Sequence, residues 1–349
     1  MSFILLPLFS FFVAGQLIRH VVPDTLPYTL RNKISVLENS EEPVDLIFIG
    51  SSLTHKGISP DLFDREMGRL GVSINSFNMG DNQLMPPESY ALANHVLKKD
   101  LPHWNILVIE LFRLDDTWRD DGDTRRYVWW HDFTETRCAL ESIWHAPLPS
   151  QRKRHLSKLH LKAWLLEQFN LGQLLDVIRM RPEVNTITVG PQADGFVSFP
   201  FSADFHETNK TWMTHNLDRE INRTFLNHVD DYKERTAYVA EKPWDTWPAN
   251  PGHLARLKKF DRLMKDRNID VIYLIHPVTE RTQPELALVR EAGLEHVIDL
   301  NDPKRYPELY EVSSRWDNNH LSSRGIALLT RTLADQMAPI IAASREEEP

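Results

Sequence analysis

Five short apolar runs, each closed by turn residues and separated by helix-length segments, limit what this chain can fold into. The first is Val44-Asp45-Leu46-Ile47-Phe48-Ile49, ended by Gly50. Near-continuous apolar character over so few residues suits a strand buried on both faces, as in a parallel sheet. Ser59-Pro60 then predicts a helix to about Leu70, because proline is tolerated at a first helical position, where no N–H is needed. Val72 to Met79 predicts a second strand, Pro86-Pro87-Glu88 opens a helix through Lys99, and Ile106 to Ile109 predicts a third strand. The rhythm resumes with a helix from Leu254 to Arg267, a strand from Val271 to Ile275 and a helix from Pro284 to Ala292. A strand from His296 to Asp299 and a helix from Ser323 to Ala342 close it. Alternation of this kind predicts an α/β fold: a doubly wound, mostly parallel five-stranded sheet with a large insertion after the third strand.

That insertion, Phe112 to Asn250, holds eight of the ten tryptophans, among them Trp129, Trp130, Trp244 and Trp247. It contains one stretch of helical periodicity, about Arg154 to Ile178. Its indoles suit either a wall that stacks on a sugar or acyl chain, or the core of a small subdomain; the second is the simpler account. Residues 44–111 and 251–345 thus read as the core, and 112–250 as a Trp-rich insertion subdomain.

Residues 1–22 form a different kind of segment. Phe3 to Ile18 carries no charge, and Arg19 and His20 follow. The run is a little short of the roughly 20 residues that span a bilayer. It suits a membrane anchor, a signal segment cleaved near Val13-Ala14-Gly15, or a buried helix. Residues 23–43, ending in the polar Glu38 to Pro43, read as a tether. An anchor or signal would put the protein on the extracytoplasmic face of the cytoplasmic membrane, or in the periplasm or beyond. The rest of the composition excludes more than it selects. With 42% hydrophobic and 26% charged residues in 349, the chain is of folded type. Its formal charge of -9 disfavours nucleic acid as a partner, and its single cysteine, Cys138, excludes an internal disulfide and a multi-cysteine metal site.

Two segments carry chemistry. Ile49-Gly50-Ser51-Ser52-Leu53-Thr54 lies at the carboxyl end of the first strand, the edge where open α/β sheets gather their sites. A serine there can give its proton to a base while its backbone N–H faces an oxyanion. Trp316-Asp317-Asn318-Asn319-His320-Leu321 precedes the last helix. Asp and His three apart on a loop can fold back so that the carboxylate meets the imidazole Nδ1–H, fixing its tautomer.

The order strand–Gly-Ser-Ser-Leu-Thr, strand–Asn-Met-Gly, and a late Asp-x-x-His before a final helix resembles the SGNH or GDSL-like serine hydrolase superfamily. The likeness covers Val44 to Leu111 and Pro251 to Ala342. It implies the flavodoxin-like fold of that superfamily, with Ser52 as nucleophile and Asp317 and His320 completing a triad. Ser52 and Gly80 would supply backbone oxyanion donors. Ser51 stands where the family has Asp, as in its cell-envelope acyl-transfer branch. One block departs: the family's Gly-x-Asn-Asp is here Glu110-Leu111-Phe112-Arg113-Leu114-Asp115, without the Asn whose amide is an oxyanion donor. Arg113, or an amide such as Asn82 or Gln83, would have to replace it, or two donors suffice.

The resemblance implies ester hydrolysis or O-acyl transfer on a cell-envelope polysaccharide or related acyl ester, beside a membrane-bound O-acyltransferase, with no metal or organic cofactor. Two other readings are a non-catalytic envelope scaffold of the same fold, binding glycan or an O-acyltransferase, and a cytosolic lipase-like esterase. Three further features read as structural first. Trp129-Trp130-His131-Asp132 is half a metal site without companions. The run Arg152-Lys153-Arg154-His155, with Lys158 and Lys162, is a solvated helix face or a contact for anionic lipid. His276 either lines the pocket or is a capped core histidine.

Overall fold

The computed structural model describes residues 10, 13–15, 17, 26–99, 101, 103–114, 125–169, 193–197, 225–241, 248–280 and 282–346. Five strands, β1 (Leu46–Ile49), β2 (Ser76–Asn78), β3 (Ile106–Glu110), β4 (Asp270–Ile275) and β5 (His296–Asp299), form one all-parallel sheet in the order β2-β1-β3-β4-β5. This is the strand order of flavodoxin-like doubly wound folds. Register runs without a slip across the middle, Ile47 opposite Leu107 and Leu107 opposite Val271.

The apolar runs divide by alternate residues, as strand geometry requires. Ile47, Ile49, Leu107, Ile109, Tyr273 and Ile275 face one layer. That layer is built from α1 (Tyr28–Glu38), α4 (Glu88–Leu97), α9 (Pro251–Lys265) and α10 (Gln283–Ala292). Leu46, Phe48, Ile106, Val108, Ile272 and Leu274 face the other, which contains α3 (Pro60–Arg69) and α11 (Ser323–Glu346). Both faces are therefore dry, and that is why the runs read as continuous rather than alternating. The second strand is shorter than its sequence suggests. Val72 turns back to bond Met67 O after Gly71, at φ 85, so its apolar side chain packs without joining the ladder.

Two regions depart from expectation. The stretch expected as a tether, 23–43, contains α1, whose Leu30, Ile34 and Leu37 recur at helical spacing and lie in the main core with Leu26. The apolar periodicity outweighs the polar Glu38 to Pro43 that ends it. The insertion likewise does not stand apart over its described residues. Tyr127 and Val128 on α5 (Arg125–Val128), with Trp129, Trp130 and Ala163, join the cluster that contains β1, β3 and β4. Two more helices, α6 (Phe133–His145) and α7 (Ser150–Phe169), follow, and α6 packs on α9. The helix expected over Arg154 to Ile178 is described as far as Phe169; its remainder, Asp115, Trp244 and Trp247 lie outside the described residues. A further helix among the described residues of the insertion, α8 (Val229–Ala240), is tied to the segment before the final helix by Tyr232, whose hydroxyl donates to Tyr310 O.

Candidate active site

β1 and β3 are neighbours whose onward connections leave in opposite directions, so a crevice opens beyond their carboxyl ends. The Gly50-Ser51-Ser52 turn occupies it and leads into the short helix α2 (Ser52–Gly57). Gly50 has to be glycine: a Cβ there would run into Thr54 Oγ1 and Glu110 Oε2. Ser51 caps the helix, its Oγ accepting from Leu53 N at 3.2 Å. It also donates to Glu110 Oε1 at 2.6 Å, while its N–H reaches Glu110 Oε2 at 2.9 Å. Thr54 Oγ1 donates to the same Oε2 at 2.6 Å. With its own proton directed there, Thr54 Oγ1 accepts from His276 Nε2 at 3.0 Å, which fixes that imidazole as the Nε2–H tautomer.

Burial pushes the Glu110 carboxyl up to about 6, although the bonds from Ser51 and Thr54 oppose the rise. Burial likewise drives His276 down to about 3, with Arg315 and His320 nearby adding to the effect. The group Glu110–Thr54–His276 thus clamps the serine turn from behind. Sequence reading passed over Glu110 and Thr54 in this role. The available signal was a carboxylate ending an otherwise apolar strand at the same edge as the serine.

In front of the turn stands a second group. Ser52 Oγ lies 2.8 Å from His320 Nε2, and His320 Nδ1 lies 2.8 Å and 3.0 Å from the two Asp317 oxygens. The loop that carries them is closed by its own amides. Asn319 N and His320 N each donate to Asp317 Oδ1 at 2.8 Å, and Trp316 N reaches His320 O at 3.0 Å. Burial works to raise the Asp317 pKa, but the bonds from His320 and from these amides outweigh it and hold the carboxyl below its usual range. Arg315 underpins the loop. Nearly fully buried, it donates through Nη1 to Pro277 O at 2.8 Å, and its guanidinium lies 4.8 Å from the Tyr310 ring centre and 5.8 Å from that of Tyr232. Ser52, Lys56, His276, Asn319 and His320, with Leu53, Gly57, Pro277 and Leu321, line a small pocket.

The structure therefore brings Ser52, Asp317 and His320 together, and His276 is both pocket lining and buried core. The oxyanion candidates fare differently. Ser52 N opens α2 and meets no acceptor among the described residues. Gly80 N donates to Asn78 Oδ1 at 2.9 Å, and Gly80 O accepts from Lys33 Nζ at 2.6 Å. An oxyanion role for Gly80 requires the first of these bonds to be shared. Arg113 is paired with Glu280, and Asn82 is exposed with its N–H on Asp81 Oδ1. None of Gly80, Asn82 and Arg113 lines the pocket.

Behind Gly80, Lys33 of α1 is fully buried and also donates to Asn78 O at 2.9 Å and Gly195 O at 2.7 Å. His55 Nδ1 lies 3.0 Å from the same Nζ, so three carbonyls and an imidazole nitrogen enclose it. Burial lowers it to about 7 against the pull of Asp81 and Asp194. This lysine ties the supposed tether, the second strand and the insertion into one support for the site, and no sequence pattern marked it.

The remaining candidates are structural. His131 bonds Tyr127 O at 2.6 Å and His160 Nδ1 at 2.8 Å, and Asp132 caps α6 through Glu135 N. Trp129 is buried with its Nε1–H on Glu88 Oε1 at 2.9 Å, and Trp130 is buried beside it, so neither is a wall over Ser52. On α7 the buried positions Leu156, His160, Ala163 and Glu167 define one face, which leaves Arg154, His155, Lys158 and Lys162 exposed on the other. No protein-family model, curated protein or solved structure matches this chain.

Proposed function

We propose that this protein is a serine-dependent ester hydrolase or O-acyltransferase of the SGNH or GDSL-like type. The observation that carries the proposal is the linear wiring Ser52 Oγ–His320–Asp317 at the crevice of a parallel sheet, with the pocket opening onto Ser52. In this reading Ser52 attacks an acyl carbonyl, His320 takes the serine proton and returns it to the leaving alcohol, and Asp317 holds the imidazole tautomer. Ser52 N, in the same reading, meets the oxyanion. Water or an acceptor hydroxyl then attacks the acyl-serine by the same route in reverse. The substrate class we favour is an acyl ester on a cell-envelope polysaccharide, with a membrane-bound O-acyltransferase as partner. Among the described residues no helix is long and apolar enough to cross a membrane. An anchor or signal in residues 1–22 therefore rests on the apolar run itself.

The engaged amide of Gly80 favours a second reading, a scaffold of the same fold that binds glycan without turning it over. A fluorophosphonate probe separates the two, because it reacts only with an activated serine. Under the enzymatic reading the wild type is labelled and hydrolyses p-nitrophenyl acetate, and Ser52→Ala does neither. Undiminished labelling or turnover in Ser52→Ala removes the mechanism.

A further inference from the structure

Among the residues that line the pocket, Lys56 is the one lysine or arginine. It stands four residues after Ser52 on α2, so the two side chains leave the same face of the helix about one turn apart. It is half-buried, and its ammonium is close enough to feel both Asp317 and Asp81. Burial holds that ammonium below the usual lysine range in spite of the two carboxylates. A cation kept here at a desolvation cost, beside the atom that attacks, acts on whatever sits at the scissile bond.

Building on the serine-enzyme reading, we propose that Lys56 makes the pocket select esters that carry a carboxylate close to the scissile carbonyl, on the acyl or the alcohol side. Asp81 does not cancel this preference, because it pairs with Arg126 at 3.4 Å and accepts from Thr29 at 2.7 Å, and neither does Asp317. Its charge is directed to His320 Nδ1 and to the amides of Asn319 and His320, and it is balanced further when His320 takes the serine proton. Arg113 and Glu280 form a pair of their own, so they supply no net charge at the adjoining rim. Charge-assisted bonds to a partly desolvated ammonium are strong enough to discriminate between a neutral and an anionic ester.

The test compares kcat/KM for p-nitrophenyl acetate, mono-p-nitrophenyl succinate and 4-acetoxybenzoate, in wild type, Lys56→Met and Lys56→Arg. The succinate ester places the carboxylate on the acyl side, the benzoate on the alcohol side. For at least one of them the anionic-to-neutral preference should fall about tenfold in Lys56→Met, mostly through KM, and be largely kept in Lys56→Arg. An equal change for all three esters means that Lys56 acts only on Asp317 or on the fold, and overturns the proposal, as does no change at all. Binding of monomethyl succinate and 4-hydroxybenzoate to Ser52→Ala, with and without Lys56→Met, is followed by NMR titration and needs no turnover. Weaker binding in the double variant supports the anion site even where no ester is hydrolysed and no probe reacts, an outcome that would sink the serine chemistry alone. Affinity for both ligands indifferent to Lys56 removes the anion site.

Discussion

Two sets of hydroxyl, imidazole and carboxylate meet at the same turn. Ser52, His320 and Asp317 form one; Thr54, His276 and Glu110 form the other, two residues further along α2. Their chemical types match, yet they are wired differently. In the first, the imidazole stands between hydroxyl and carboxylate, so a proton leaving the hydroxyl has a receiver whose charge the carboxylate then stabilises. In the second, the hydroxyl stands between the other two: it gives its proton to Glu110 and accepts one from His276. Such a hydroxyl meets no imidazole lone pair that could take its proton, and the imidazole is held neutral by burial. Ser52 and His320 are part-exposed and line the pocket, whereas Glu110 and Thr54 are buried. Under the proposed function, order of connection and access from the pocket, rather than residue type, set the front group apart from the clamp.

Breaking the front set should have the largest effect. Asp317→Asn leaves the loop amides an acceptor but offers His320 the wrong partner at Nδ1. Turnover of p-nitrophenyl acetate should fall on the order of 10³ to 10⁴-fold with little change in melting temperature. Retention of most activity would mean that another group orients His320, and the contrast between the two sets would lose its basis.

The rear set should instead answer in stability. Glu110→Gln removes a carboxylate that accepts three hydrogen bonds and should cost about 2 kcal/mol in denaturant unfolding. Its rate loss follows from a loosened serine turn and should be far smaller than that of Asp317→Asn. The pH dependence sharpens this. The folded protein holds the Glu110 proton more tightly than the unfolded chain, so this group's contribution is full below the usual carboxylate range and is lost as pH rises through about 6. The stability advantage of wild type over Glu110→Gln should therefore shrink between pH 4 and 7. An advantage that grows over that interval would show that the three donors outweigh burial.

The smallest effect belongs to the bridging hydroxyl. Thr54→Val keeps the shape and leaves His276 Nε2–H and one Glu110 oxygen short of a partner, a cost of about 1 kcal/mol. Its activity should stay within about tenfold of wild type, as a part of the clamp rather than of the reaction. A loss comparable with that of Asp317→Asn would move Thr54 into the chemistry.

Much of this was legible in the sequence because it is local. The strands announce themselves as apolar runs since both faces of a parallel sheet are dry. Asp317 and His320 are three residues apart, so loop closure alone brings them together. Gly50-Ser51-Ser52 is marked by its position after the first such run. Other features were hidden for the converse reason. Glu110 is drawn to Ser51 and Thr54 only when β1 and β3 pair, and Lys33 meets Asn78, Gly80 and Gly195 only when three distant segments converge.

The amino-acid sequence by itself determined the alternation of strand and helix, the α/β class and the residue types at the sheet edge, since backbone periodicity and turn chemistry act over a few residues. Tertiary structure alone decided which hydroxyl faces His320, which is enclosed by Glu110 and His276, and that Gly80 N bonds Asn78. It also decided that α1 and part of the insertion belong to the core. The physical reason is that a buried polar group must find partners wherever the packed chain presents them, and the sequence does not record that distance.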